Sequence, residues 1–367
     1  MDAGLDGLEG VVAAATVLSD VDGAAGRLVI RGHTVEALAQ GWTFEDTLAL
    51  LWEGFFPEPL TRPAERLGAA RSEVFAHVAA LDDRQLAGDP VDAMRALIAR
   101  IADGQDLSTA YRLAASPAVF AAAVVRRRRG EAAIAPDPNL GHAADTLRMI
   151  TGAPASAARI AALQAYLVTV IDHGLNASTF AARVVASTQA GLASSVLAGL
   201  SALKGPLHGG APGPIIEMLD GISAPGNARA WIEAALERGD RLMGFGHRVY
   251  RVRDPRADAL KSAVAALIAA EGAGAGRLAL AEAVETAALA ILREHKPGRS
   301  LDTNVELYTA LLLEALAFPP AIFTGVFAMG RVAGWIAHAR EQALGGRLIR
   351  PQSVYVGPPV TRPLIPA

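Results

Sequence analysis

Three segments of this chain set a histidine among small residues: DHGLNASTF around His173, KGPLHGGAP around His208 and GFGHRVYRVRDPRA around His247. Histidine changes protonation near neutral pH and can donate or accept a hydrogen bond. Only eight histidines occur in 367 residues, so three of them in Gly- and Pro-rich settings form a pattern with chemical content. Glycine lets a backbone or a ligand come close. Arg251, Arg253 and Arg256 follow the third histidine, and a guanidinium grips a carboxylate through two parallel hydrogen bonds. The pattern predicts a pocket for a polar, anionic substrate. Each segment also has a bland reading: solvated arginines on a loop at 244–257, a polar turn at 204–212, a helix break with an N-cap at 172–178. A further carboxylate, Glu306, follows Asn304 in TNVELYTA, where a first helical turn favours an acid through the helix dipole alone.

Other chemistries lack their residues. There is no cysteine, which excludes disulfides, thiolate metal sites and cysteine nucleophiles and suits a reducing cytoplasm. No H-x-x-x-H or H-E-x-x-H pair marks a zinc enzyme, and neither a P-loop nor a G-x-G-x-x-G in a βαβ setting is present. His33, His77, His142, His295 and His338 lie in ordinary helical or loop contexts. The run Arg126–Arg129 reads as the solvated end of a helix.

The elements that must carry these residues are mainly helical. The chain is 52% hydrophobic with a mean hydropathy of +0.29, enough for a large core. Its 34 Lys+Arg against 37 Asp+Glu give a net charge of −3, without the basic excess of a nucleic-acid or membrane-surface protein. The acidic N-terminus shows no signal peptide. Good helix formers dominate and β-branched alternation is scarce, except at 16–33, where VDG and Gly26 predict a small hairpin. Helices are predicted over 34–40, 43–55, 63–81 and 90–104, with Thr43 and Asp46, and Ser178 and Thr179, at helix starts. The uncharged stretch between Arg183 and Lys204 is too rich in Ser, Thr and Gln for hydrocarbon, so it reads as one interior helix of a soluble protein. Gly and Pro after His208, and Pro319–Pro320, predict boundaries: a large helical domain of 1–210 and 321–367, and a small one of 211–320. EGAGAGRLA at 271–279 reads as a flexible loop.

Six segments in chain order resemble the citrate synthase family: VDGAAGRLVIRGH, DHGLNASTF, KGPLHGGAP, GFGHRVYRVRDPRA, GRVAGWIAHAREQ and LIRPQSVYVG. The resemblance runs from about residue 16 to 357 and is closest to the short, dimeric bacterial and archaeal type. It implies an all-α enzyme with large and small domains, active as a cytoplasmic homodimer in the tricarboxylic acid cycle. Such an acyltransferase condenses acetyl-CoA with oxaloacetate and then hydrolyses citryl-CoA. Neither a metal nor a cofactor is implied, since the coenzyme A thioester is a substrate.

The same resemblance assigns roles. His208 would donate to the thioester oxygen, and His247 would polarise the oxaloacetate carbonyl and protonate the alkoxide. His173, Arg256 and Arg331 would hold oxaloacetate, and Arg350 would reach into the neighbouring subunit's site. Arg251, Lys296 and Arg299 are candidates for coenzyme A. The base is where the chain departs, because the family's usual NVD reads Asn304-Val305-Glu306 here. An extra methylene lengthens the reach by roughly 1 Å, a misplacement that can cost on the order of 10²-fold in rate. Two alternatives follow: a 2-methylcitrate synthase using propionyl-CoA, and a weakly active paralogue that binds coenzyme A or a dicarboxylate. Closure of the domains about a hinge near His208 would complete the site.

Overall fold

A computed structural model describes residues 7–8, 10–209, 212–296, 298 and 301–358. The predicted hairpin is present as β1 (Ser19–Asp22) and β2 (Arg27–Ile30), antiparallel with Ser19 opposite Ile30 and Asp22 opposite Arg27. A short β3 (His33–Thr34) adds to its edge. Leu18, Leu28 and Ile30 point into the core. The hairpin turn leans on the segment after His247. A Cβ on Gly23 would strike the Val249 carbonyl, and the Gly23 carbonyl accepts from the Arg251 N–H at 2.8 Å.

Helices make up nearly everything else. The first group is α1 (Val35–Ala39), α2 (Phe44–Trp52), α3 (Pro63–Phe75), α4 (Asp83–Ala87) and α5 (Pro90–Ile98). Thr43 caps α2, accepting from the Asp46 N–H. The central group is α6 (Leu107–Arg128), α7 (His142–Thr151), α8 (Ala157–Thr169), α9 (Ala177–Ala186) and α10 (Leu192–Leu203). Then come α11 (Pro212–Ile222), α12 (Ala228–Glu237), α13 (Pro255–Glu271), α14 (Ala275–His295), α15 (Val305–Ala315) and α16 (Phe323–Gly345). The core forms around α6 and α16, which pack on each other. The helical stretches Leu107–Arg128 and Pro320–Gly345 are long and apolar enough to cross a bilayer, but most of each is buried against other helices.

Glycines let α16 come close to the chain that leads to His173. A Cβ on Gly330 would collide with Leu167 and Val170, and one on Gly334 with the Ile171 carbonyl and the Asp172 carboxylate. α8 is a shared wall, touching α13, α15 and α16.

Local expectations failed at the uncharged stretch and at the Gly/Ala loop. The uncharged stretch is two helices, α9 and α10, because Gln189 and Gly191 take positive φ (64° and 102°) and turn the chain. Asp103 caps α10 from a distance, accepting from the N–H groups of Ala193 (2.7 Å) and Ser194 (3.1 Å). Ser178 and Thr179 lie in the first turn of α9 as expected, and the Asn176 side chain caps it by accepting from both of their N–H groups. The Gly/Ala loop shrinks to Gly272–Gly274, since two left-handed glycines suffice to end α13 and start α14.

Candidate active site

Two loops lie side by side and carry three of the predicted residues. The Gly246 N–H donates to Asp302, the Asn304 N–H to Gly244 and the Asp254 N–H to Thr303. The Asn304 amide also donates to the Gly246 carbonyl at 2.9 Å. Gly244 and Gly246 have φ of 90° and 80°, which residues with a Cβ rarely adopt. This lacing fixes His247 and Arg256 relative to Asn304 and Glu306. Asn304 caps α15 through the Glu306 N–H.

Each of the three histidines is held by protein through a ring nitrogen, and His247 Nε2 also lies 3.4 Å from Arg256 Nη2. His247 Nδ1 accepts from the N–H groups of Val249 (3.0 Å) and Tyr250 (3.1 Å). A backbone N–H can only donate, so the neutral ring keeps its proton on Nε2. His208 Nε2 lies 2.9 Å from the Ser178 hydroxyl, which accepts from Trp335 Nε1 at 3.1 Å. That hydroxyl donates to Asn176 Oδ1 at 2.8 Å, and the same oxygen accepts the N–H groups of Ser178 and Thr179. His173 Nε2 pairs with the Tyr250 hydroxyl at 3.1 Å, and its ring stands edge-on to His247 at 5.5 Å.

All three imidazoles are neutral at physiological pH. Burial, then Arg331 and Arg256, push His208 down to about 4. Burial and Arg256 bring His247 to about 4 against the pull of Asp254. His173 lies well below 6.5 for the same reasons as His208.

The cations are differently committed. Arg256 is buried and forked onto Asp254 through Nε (3.0 Å) and Nη2 (2.8 Å), which leaves Nη1 for a ligand. Arg331 donates Nε to the Val170 carbonyl at 2.6 Å and lies 4.9 Å over the Phe327 ring. Its Nη2 is buried with no partner among the described residues, as is the Tyr166 hydroxyl. Buried donors are nearly always satisfied, so an unpaired guanidinium nitrogen marks where an anion would bind. Glu306 is partly accessible. Burial, helped by Asp254 and opposed by Arg256 and Arg331, pushes its carboxyl up to about 7.

Other predicted residues lie elsewhere. Arg253 turns away to Asp258 and to Glu285, so it does not belong to the anionic pocket. Arg251 and Lys296 are exposed, Arg299 falls outside the described residues, and Arg350 is exposed in an extended tail after α16. Two histidines with ordinary sequence contexts are fully buried. His142 stacks on Phe44 beside Arg71. His338 Nε2 lies 3.2 Å from Asp172, while its Nδ1 meets Arg183 at 2.9 Å. Burial opposes ionisation of Asp172, yet His338, the Ser19 hydroxyl and Arg331 hold its pKa below the usual range. Asp172 and Ser19 together receive the Gly174 N–H, fixing the turn after His173. Sequence reasoning missed Tyr250, Ser178, Trp335, Asp254 and His338. All five lie inside the motif segments but have no spacing of their own to reveal them.

Comparison with known proteins gives the family. Residues 7–352 match the family model described as citrate synthase, C-terminal domain. This chain belongs to the citrate synthase family. It is 38% identical to the citrate synthase of Haloferax volcanii, over 96% of this chain and 95% of that protein. It is 35% identical to the 2-methylcitrate synthase of Mycobacterium tuberculosis, over 96% and 90%. A solved ternary complex of carboxymethyl coenzyme A and oxaloacetate with Thermoplasma acidophilum citrate synthase superposes with a TM-score of 0.85. It is 29% identical and covers 97% of both chains. The fold is that of these helical enzymes, and the chain is an acyltransferase of the citrate synthase type.

Proposed function

We propose that this chain condenses acetyl-CoA with oxaloacetate to give citrate and coenzyme A. The observation that carries this reading is three neutral imidazoles, each held through a ring nitrogen, gathered with two buried arginines and a carboxyl poised near neutrality. Glu306 takes a proton from the thioester methyl. His208 donates to the enolate oxygen as charge develops there. The enolate carbon attacks the ketone carbon, and His247 passes its Nε2 proton to the resulting alkoxide. Water then cleaves the thioester, releasing the thiol and leaving the carboxylate of citrate. His173, Arg256 and Arg331 hold the dicarboxylate. Arg251, Lys296 and Arg299 serve coenzyme A, Arg350 serves a partner's site in a cytoplasmic homodimer, and no cofactor takes part. A small domain of 211–320 closes on a large one made of the remainder.

Release of free thiol from acetyl-CoA or propionyl-CoA in the presence of oxaloacetate tests the reading. No release from either thioester by the purified protein overturns it. A 2-methylcitrate synthase is the second reading, favoured by a similarity to that relative almost equal to the similarity to the citrate synthase. One methylene in a pocket is worth roughly 1–3 kcal/mol, so the ratio of kcat/KM for the two thioesters separates them.

A further inference from the structure

We propose that Tyr250 is a positioning residue whose hydroxyl sets the tautomer of His173, making that imidazole an N–H donor toward the dicarboxylate. This rests on the reading of His173 as a ligand of oxaloacetate. Tyr250 is itself 1% exposed and meets three site residues at once. Its hydroxyl lies 3.1 Å from His173 Nε2, its backbone N–H donates to His247 Nδ1 at 3.1 Å, and its ring lies 4.8 Å from the His247 ring. The Arg256 guanidinium sits 5.9 Å from the same ring centroid.

The direction of the bond to His173 follows from acid–base chemistry. A neutral imidazole has one N–H and one lone pair, and a phenol can donate or accept. The phenol is the stronger acid and the imidazole nitrogen the stronger base, so the hydrogen runs from oxygen to Nε2. No other hydrogen bond to the Tyr250 hydroxyl exists among the described residues, so nothing competes for that proton. The His173 proton is thereby placed on Nδ1, which has no protein partner among the described residues. Tyr250 thus sets two tautomers: His247 through its backbone and His173 through its side chain. Only the second depends on residue type. Burial of both rings keeps water from substituting for the hydroxyl.

Tyr250→Phe isolates that function, since it keeps the ring contacts and the backbone bond. The decisive measurement is a long-range ¹H–¹⁵N spectrum of ¹⁵N-histidine-labelled protein without substrate, with the His173 signals assigned through His173→Asn. The native chain should show His173 protonated at Nδ1, and Tyr250→Phe should move it to Nε2–H or to a mixture. Oxaloacetate binding, followed by calorimetry, should weaken about tenfold in Tyr250→Phe. The same change made on top of His173→Asn should cost nothing more, because the two act as one unit. An Nε2–H signal in the native chain overturns the proposal, as does a signal or an affinity that Tyr250→Phe leaves unmoved. A native chain that releases no thiol defeats the functional reading instead, and the spectrum still decides the role of Tyr250.

Discussion

Glu306 carries two consequences at the level of single residues. As a base it must be ionised, and its pKa stands at about 7 rather than 4.5. kcat/KM for the acyl-CoA should therefore rise with pH and inflect near 7, in initial-rate measurements between pH 5.5 and 8.5. His208 and His247, at about 4, stay neutral through that range and add no second inflection. The stability effect has the opposite sign for the two residue types. Between 4.5 and 7 the folded chain binds the Glu306 proton and the unfolded chain does not, so this contribution is lost as pH rises through 7. Between 4 and 6.5 the unfolded chain binds the histidine protons and the folded chain does not, so stability falls as pH drops through that window. Glu306→Gln should raise Tm over the native chain little at pH 5 and more at pH 8; equal gains at both would refute the assigned pKa. Turnover of Glu306→Asp separates an enzyme built around Glu from a detuned paralogue. A shorter reach should lower kcat on the order of 10²-fold, whereas a large gain would favour the paralogue.

At the scale of elements, the site depends on a buried carboxylate that touches none of the reacting groups. Glu285 on α14 accepts from Arg253 (2.6 Å), Thr303 (2.7 Å) and Tyr308 (2.6 Å), so it ties the start of α13, the 301–304 loop and α15 together. Glu285→Ala would leave Arg253 half-buried with Asp258 alone, and removing one partner of a buried pair costs about 3–5 kcal/mol. Urea unfolding should show a loss near the lower figure, with kcat falling because the Glu306 loop is released. A loss under 1 kcal/mol would show that the laced loops stand without it. Nothing in the local sequence around Glu285 distinguishes it, and this marks the limit of what could be read in advance. The hairpin, the helical class and the loops bearing His173, His208 and His247 were legible, because Gly, Pro and helix periodicity are local signals. The break between α9 and α10 was not, since its cap, Asp103, comes from a remote loop. Nor were Ser178, Trp335 and His338, whose partners meet only once α9, α10 and α16 have packed. The misreading of Arg253 has the same origin: Arg251, Arg253 and Arg256 look alike in sequence, and only tertiary partners sort them.

At the scale of the whole molecule, Arg350 raises the question of whether one chain makes a complete site. It is exposed in an extended tail, and its guanidinium has no hydrogen bond or ion pair among the described residues. The same tail exposes Leu348, Val354, Tyr355 and Val356. Contiguous exposed apolar side chains of this kind mark an interaction surface, and an isologous dimer would bury both copies of the tail equally. If Arg350 completes the partner's site, complementation should reveal it. Arg350→Ala homodimers lack the arginine at both sites, and His208→Ala homodimers lack the enolate donor at both. A mixed dimer has one site with neither residue and one with both, the intact one pairing His208 of one chain with Arg350 of the other. Random reassortment of equal amounts should therefore recover about a quarter of the native thiol-release rate from two nearly inactive parents, half the dimers being mixed and half their sites intact. If Arg350 instead served its own chain's site, each site of the mixed dimer would lack one residue. The rate would then stay at the mean of the parents.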